Sequence, residues 1–163
     1  MTGKRRGTGD GGFTLIELMV TMLIGGVLMA IGAGAVMNLR NTTEQRGSAT
    51  QMLSQFRNAA ELAQSEGRTY CIDLSGTRTY RVWRYACSGG TAVSVQSART
   101  TSSSRVTFAS TGGSTTNCPS GDRCVYFYPR GTATATTITI SSSARANKTY
   151  VLHVEGLTSR VYL

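Results

Sequence analysis

Residues 12–20 read Gly-Phe-Thr-Leu-Ile-Glu-Leu-Met-Val and begin a long apolar stretch. The 20 residues from Leu18 to Met37 carry no charge. As an α-helix they would extend roughly 30 Å, which matches a bilayer core. Glu17 stands at the start of this stretch, where an unpaired carboxylate costs a few kcal/mol. We therefore expect a membrane helix in which Glu17 meets a partner of opposite charge.

A basic segment precedes the apolar stretch. Lys4, Arg5 and Arg6 are opposed only by Asp10. Because flanks rich in Lys and Arg stay in the cytoplasm, this charge predicts a cytoplasmic N-terminus. The chain would cross the membrane once and be exported from residue 40 onward.

Three interpretations of this region compete. The first is a plain single-pass anchor. The second is an ordinary secretory signal peptide that releases a soluble β-domain, because Ala33-Gly34-Ala35 resembles a signal peptidase site. Glu17 argues against the second interpretation, since an apolar signal segment has no reason to carry a carboxylate. The third interpretation rests on a family resemblance.

The segment from Gly12 to Val20 resembles the class III signal of type IV pilins and type II secretion pseudopilins. The resemblance implies that a prepilin peptidase cuts between Gly12 and Phe13 and that the new N-terminus at Phe13 is N-methylated. It also implies that Glu17 directs assembly by pairing with the Phe13 amine of a neighbouring subunit. Two unit charges about 4 Å apart attract by about 4 kcal/mol at an effective dielectric constant near 20.

The same resemblance implies partners and a location. The partners would be the prepilin peptidase, other pilin or pseudopilin subunits and the inner-membrane assembly platform. The precursor would lie in the inner membrane and later join an extracytoplasmic filament. The chain departs from many major pilins at Gly34, where they carry a proline, so local melting of the helix is not expected on that ground.

The helical pattern continues beyond the apolar stretch. Residues 40–66 carry one apolar stripe at the spacing of an α-helix, with charged residues on the other faces. Gly67 is a natural end for this helix, because glycine readily adopts the left-handed conformation that closes a helix. The stripe contains Ala49, Met52, Leu53, Phe56, Ala59, Ala60 and Ala63.

The composition changes after Gly67 to Ser, Thr, Gly and β-branched residues. Short runs of this kind, separated by turn signals, predict an antiparallel β-sheet or a β-sandwich. With the long helix packed against it, this head gives an α+β fold of the pilin kind. The predicted strands are Arg68–Leu74, Thr79–Tyr85, Ala92–Gln96, Arg105–Ala109, Arg123–Tyr128, Thr136–Ile140, Tyr150–Glu155 and Ser159–Leu163.

Four segments are therefore expected along the chain. Residues 1–12 form a cytoplasmic leader, and residues 13–39 form a transmembrane or filament-core helix. Residues 40–66 continue the helix in amphipathic form, and residues 67–163 form the β-rich head. Within the head, Gly112 to Gly121 is a candidate for a flexible loop.

The head contains four cysteines: Cys71, Cys87, Cys118 and Cys124. An even number of cysteines in an exported domain indicates disulfide bonds. Three pairings are possible, and the simplest joins Cys71 to Cys87 and Cys118 to Cys124. A metal site is disfavoured, because the chain has no CxxC pair and only one histidine.

A second resemblance concerns the head. The segment Tyr126-Phe127-Tyr128-Pro129-Arg130-Gly131, followed by strands and a C-terminal hairpin, resembles the H-type pseudopilins and related minor pilins. Their heads are β-sandwiches packed on the second half of the long helix. This branch implies a structural or tip-associated subunit of a type II secretion pseudopilus or a type IV pilus.

The charge of the chain suggests a second function. The net charge is +9, and arginine dominates the basic residues. Arg81 and Arg84 alternate with aromatic residues, an arrangement that suits single-stranded nucleic acid. Some minor pilins bind DNA through a basic C-terminal motif, of which only Arg160 remains here. A DNA-binding minor pilin is therefore the alternative to a structural subunit.

We find no pattern of catalytic residues in the sequence. His153 lies in an alternating strand pattern and is expected to be structural. Asp73, Asp122 and Glu155 are far apart and lack the spacing of metal ligands. We therefore expect a non-enzyme that uses no cofactor.

Overall fold

The computed structural model describes residues 13–119, 121–145 and 147–163. The chain divides into two compact units at the junction of Leu39 and Arg40. The first unit contains the apolar part of the long helix. The second contains the rest of that helix and all the strands.

A single helix, α1, runs over Leu15–Ser65. It ends because Gly67 adopts φ 63°, and the Arg68 N–H then donates to the Ala63 carbonyl over 3.2 Å. This bond between C″ and C3 is the mark of a Schellman ending. The predicted stop at Gly67 is confirmed. The helix is uninterrupted across Gly34.

In the first unit, the large apolar side chains of α1 are exposed. By length and composition this is a helix that could cross a membrane, with a mean hydropathy of 2.2 in its most apolar window. None of that window is buried inside the protein. The exposed residues include Leu15, Ile16, Met19, Met22, Leu23, Val27, Leu28, Met29, Ile31, Val36, Met37 and Leu39.

The second unit contains two antiparallel sheets, which confirms the predicted α+β fold. The first sheet has the order β3-β2-β1-β6, and β4 also pairs with β2. Its strands are β1 at Tyr70–Ser75, β2 at Thr79–Arg84, β3 at Val93–Ser94, β4 at Arg99–Thr100 and β6 at Arg123–Phe127.

The second sheet has the order β5-β7-β8-β9. The strand at Thr136–Ser142 alternates regularly between buried and half-buried residues, as expected for a sheet with one face on a core. Its strands are β5 at Val106–Gly112, β7 at Thr136–Ser142, β8 at Tyr150–Val154 and β9 at Val161–Tyr162.

The amphipathic half of α1 and both sheets share one apolar core. Phe56 from the helix meets Phe127 from β6 edge to face, with ring centroids 6.1 Å apart. Ile138 and Leu152 of the second sheet are fully buried in the same cluster. The predicted stripe is confirmed, since six of its seven members are buried and Leu53 packs against them half-buried.

The predicted secondary structure of the head needs correction in two places. Strand β4 at Arg99–Thr100 was not predicted, because it has only two residues and both are exposed, which leaves no alternation to detect. The predicted loop from Gly112 is partly ordered as sheet. Strand β5 extends to Gly112, and Ser114 exchanges two backbone hydrogen bonds with Cys124.

Candidate functional site

The start of α1 is capped by Thr14. The Glu17 N–H lies 3.3 Å from Thr14 Oγ1 and 3.1 Å from the Thr14 carbonyl oxygen, so it donates to both. The sequence Thr14-Leu15-Ile16-Glu17 has the spacing of a capping box, with threonine at the N-cap and glutamate at the third helical position. This local geometry places the Glu17 carboxylate in the first turn of the helix.

The first turn presents its carboxylate outward. Glu17 is exposed, and the preceding Phe13 is 76% exposed. The helix N-terminus favours an anion at this position, because its unpaired N–H groups carry partial positive charge. The carboxylate can still accept a cation from another molecule. Gly12, the predicted cleavage residue, lies outside the described residues.

Two disulfides brace the first sheet, with the simplest of the three possible pairings. Cys71 on β1 bonds Cys87, which follows β2, with Cα atoms 5.6 Å apart. Cys118 bonds Cys124 on β6, with Cα atoms 5.8 Å apart. Loops of these lengths stabilise the fold by about 2–3 kcal/mol each. The cysteine sulfurs are oxidised and supply no thiolate ligand for a metal.

The two candidate DNA contacts on β2 are held within the head. The Arg81 guanidinium lies over the Trp83 ring, 5.2 Å from its centroid. Arg84 lies 3.8 Å from Glu66, which also accepts a hydrogen bond of 2.7 Å from the Tyr70 hydroxyl. Burial raises the pKa of the Tyr70 hydroxyl, and the hydrogen bond to Glu66 raises it further.

Tyr85 departs from the sequence prediction. The predicted strand Thr79–Tyr85 includes it as the last residue. Instead β2 ends at Arg84, and Tyr85 adopts a left-handed φ of 74°. Its ring lies under the Arg68 guanidinium, 5.7 Å from ring centroid to cation.

Arg160 is exposed on the turn between β8 and β9. It lines an open groove of about 600 Å³ together with Arg57 and Glu61 of α1. The Arg57 Nε–H crosses this groove and donates to the Val161 carbonyl over 3.0 Å. Arg160 therefore belongs to the second sheet, whereas Arg81 and Arg84 belong to the first. The fold does not gather the three into one contact row, and DNA binding stays a prediction.

His153 makes contacts that fit its expected structural role. Its ring stacks on Tyr162 of β9, with centroids 5.4 Å apart. Its Nδ1 lies 3.4 Å from the Thr137 hydroxyl of β7. The side chain thus ties three neighbouring strands of the second sheet together.

One titratable cluster could not be found from the sequence. Ser75 Oγ lies 3.1 Å from Asp73 Oδ2 and 3.0 Å from Asp122 Oδ2. One hydroxyl proton can bond only one of these oxygens. Asp73 is buried, and this burial, with a smaller contribution from the Asp122 charge, raises the pKa of its carboxyl although Ser75 opposes the change. The two carboxylates are 49 positions apart, and only the pairing of β1 with β6 brings them together.

Comparison with known families supports the N-terminal and head resemblances separately. The prokaryotic N-terminal methylation motif matches residues 8–33. The family described as type II transport protein GspH matches residues 48–158. No curated protein gives a significant match.

Solved structures share the fold. The type IV minor pilin FimU of Pseudomonas aeruginosa aligns with a TM-score of 0.59 at 17% identity, covering 75% of this chain and 89% of FimU. The minor pseudopilin EpsH of the Vibrio cholerae type 2 secretion system aligns with a TM-score of 0.59 at 13% identity. That alignment covers 74% of this chain and 95% of EpsH. With the methylation motif and most of the head matched to family patterns, the chain belongs to the GspH family and is a minor pilin or pseudopilin.

Proposed function

We propose that the chain is made as a precursor with a cytoplasmic N-terminus and is cut between Gly12 and Phe13 by a prepilin peptidase. The mature subunit, N-methylated at Phe13, remains in the inner membrane until the assembly platform incorporates it into a filament. The observation that carries this proposal is the exposed Glu17 carboxylate in the first turn of α1, four positions after the new N-terminus at Phe13.

Cleavage creates a positive α-amine beside a carboxylate in an apolar environment. In the bilayer Glu17 is favoured only by the helix N-terminus, an effect of about 0.3–1 kcal/mol. A neighbouring subunit that brings its Phe13 amine within about 4 Å adds about 4 kcal/mol of attraction. This ion pair therefore stabilises one particular register between neighbouring subunits.

The exposed apolar side chains of residues 13–39 supply the rest of the assembly surface. In a filament they would pack against the same segment of other pilin subunits. Glycines such as Gly25 and Gly26 would permit close approach of helices, since a Cβ at either position meets nothing within 4 Å in the isolated chain. The head would remain outside the filament core.

We assign the head a structural role, because members of its family are filament subunits. The helix stripe and two disulfides make it a rigid body with a defined surface. Such a body can contact neighbouring heads or cargo without carrying out a reaction. Contacts made by the surface of its two sheets would determine the specific role of the subunit in a pseudopilus or pilus.

Mass spectrometry of the mature N-terminus tests the processing step. The expected N-terminal peptide begins with methylated Phe13, followed by Thr14. A mature chain that begins near Val36 would instead identify an ordinary signal peptide and contradict the proposal. A chain that keeps Lys4 after export would contradict cleavage altogether.

A pair of substitutions tests the assembly step. Glu17→Ala should leave cleavage intact but lower incorporation into filaments by an order of magnitude or more, because the Phe13 amine of the neighbour loses its partner. Glu61→Ala is the matched control, since Glu61 is also an exposed glutamate on α1 but lies in the head. Normal incorporation of Glu17→Ala would refute the pairing.

A further inference from the structure

A set of basic side chains surrounds the first turns of α1 that belong to the head. We call it the basic collar and define it as Arg40, Arg46, Arg105, Arg145 and Lys148. The last three come from distant parts of the sequence, and no simple run of charge indicates them. Their convergence is a property of the fold.

Hydrogen bonds tie each distant member to the helix. Arg105 Nη1 donates to Asn41 Oδ1 over 3.1 Å. Arg145 Nη1 donates to Thr42 Oγ1. The Gln45 side chain, which is buried, donates from Nε2 to the Lys148 carbonyl over 2.7 Å.

The collar is strongly unbalanced in charge. Among the described residues of the collar region, the acidic group is Glu44, and its Oε1 lies 3.0 Å from Arg40 Nε. Five cations therefore face one carboxylate, which leaves a net charge of +4. Arg40, Arg46, Arg105 and Lys148 are exposed, so most of this charge is open to a partner.

The position of the collar along the chain decides which partner it meets. No charged residue lies between Glu17 and Arg40, and this interval spans roughly 33 Å as a helix. A bilayer core is about 30 Å thick, with a headgroup layer of about 5–8 Å on each side. A helix that places Glu17 at one boundary therefore carries Arg40 into the opposite headgroup layer.

The remaining collar residues follow from this placement. Arg105 and Arg145 are bonded to Asn41 and Thr42, one and two positions after Arg40, whereas Arg46 lies about 9 Å farther along the helix, on the water side of this layer. Guanidinium groups form paired hydrogen bonds with phosphate oxygens, which suits them to lipid headgroups. Anionic lipids would add a net attraction that neutral lipids lack.

We propose that the basic collar docks the head on anionic phospholipid headgroups of the leaflet where the apolar helix emerges. The inference rests on the proposed membrane insertion but goes beyond it. It describes the subunit before assembly, when the head lies at the bilayer surface. Departure into a filament would then have to break these contacts.

The test uses the full chain with Asn147→Cys, labelled with bimane, in bilayers that contain a headgroup-spin-labelled lipid. Asn147 is exposed beside Lys148, and all four native cysteines are in disulfides, so the label has one target. We expect spin-label quenching in bilayers containing phosphatidylglycerol to exceed that in phosphatidylcholine by about threefold. About 0.5 M NaCl should remove the difference, because it shortens the screening length to about 4 Å.

A charge-matched pair of variants separates the collar from general electrostatics. Arg105→Gln, Arg145→Gln and Lys148→Gln together should remove the preference for phosphatidylglycerol. The control combines Arg123→Gln, Arg130→Gln and Arg160→Gln, which neutralises three exposed arginines outside the collar. It should keep the preference.

Three outcomes would overturn the inference. They are equal quenching in the two lipids, equal loss in the control variant, and unchanged quenching in the collar variant with poorer filament incorporation. The third outcome would mark the collar as a surface for an acidic protein partner. Flotation of the same vesicles reports insertion independently, so a chain that fails to insert contradicts the proposed function instead.

Discussion

Phe56 of the long helix and Phe127 of β6 meet edge to face, with ring centroids 6.1 Å apart and planes at 87°. Both side chains are fully buried. The contact joins the amphipathic half of α1 to the first sheet of the head. Both rings belong to the apolar core in which the amphipathic half of α1 packs against the two sheets.

Substitution of Phe56 should be among the most damaging changes in the head. Phe56→Ala is expected to lower the free energy of unfolding by about 3–5 kcal/mol, because it removes a buried ring and leaves a cavity. Thermal unfolding of the detergent-solubilised chain, followed by the fluorescence of Trp83, measures the effect. The exposed Asn58→Ala on the same helix should change stability by less than about 0.5 kcal/mol. Equal effects of the two substitutions would contradict the assigned core.

Removal of the disulfides should have unequal effects. Joint replacement of Cys71 and Cys87 by alanine is expected to cost about 3 kcal/mol, since that bond closes the longer loop. Replacement of Cys118 and Cys124 should cost about 2 kcal/mol by the same relation. Chemical denaturation of each variant under oxidising conditions gives the comparison. A larger loss for the shorter loop would show that loop closure is not the dominant contribution.

Asp73 should make the stability of the head depend on pH. Its pKa is raised in the folded state, so the stability that it contributes is fully present below the unfolded pKa, about 4, and is lost as pH rises through the folded pKa. Asp73→Asn should therefore raise the melting temperature near pH 7 by a few degrees, about 4 °C for each kcal/mol recovered.

The same substitution should have its smallest effect at the acidic end of the range, because the raised pKa keeps the folded-state carboxyl protonated to a higher pH than in the unfolded chain. Melting temperatures of the two proteins, measured between about pH 4 and pH 8, should converge at the acidic end. A constant difference across this range would mean that Asp73 acts through packing and not through its charge. In a protein that carries Asp122→Asn, the effect of Asp73→Asn on the melting temperature should be smaller. The reason is that Asp122→Asn removes a nearby carboxylate that raises the Asp73 pKa.

Two glycines with left-handed backbones should respond differently to alanine. Gly112 has φ 84°, and a Cβ there would lie 2.8 Å from the Ala135 carbonyl oxygen. Gly121 has φ 87°, but a Cβ there meets nothing within 4 Å. Both substitutions carry about 1–2 kcal/mol of backbone strain. Gly112→Ala should destabilise the head by about a further 1 kcal/mol, because the Ala135 carbonyl, which directly precedes β7, must move. Equal melting temperatures for the two variants would contradict the close approach.

Features that depend on neighbouring positions in the chain could be predicted well. The helix, its end at Gly67 and the stripe around Phe56 follow from local periodicity and glycine conformation, and the structure confirms them. Most strands were also predicted, because alternation records which face is buried. Strand β4 is not predicted, because both of its residues are exposed and show no alternation between buried and exposed positions.

Features that depend on strand pairing were beyond the sequence. The approach of Asp73 and Asp122 to the same Ser75 hydroxyl requires β6 to lie beside β1. The end of β2 before Tyr85 requires a left-handed backbone that the Tyr85 side chain does not favour. The candidate arginines, Arg81, Arg84 and Arg160, look alike in the sequence but occupy separate surroundings in the fold.

The sequence by itself determined the long apolar helix, the position of Glu17 in its first turn and the family, because helix length, apolar composition and motif spacing depend on the linear order of residues. Tertiary structure alone decided the basic collar. Arg105 and Arg145 reach Asn41 and Thr42 only after the second sheet has packed on the helix. Long-range packing brings together residues that are about 60–100 positions apart in the chain, and no local sequence pattern predicts such contacts.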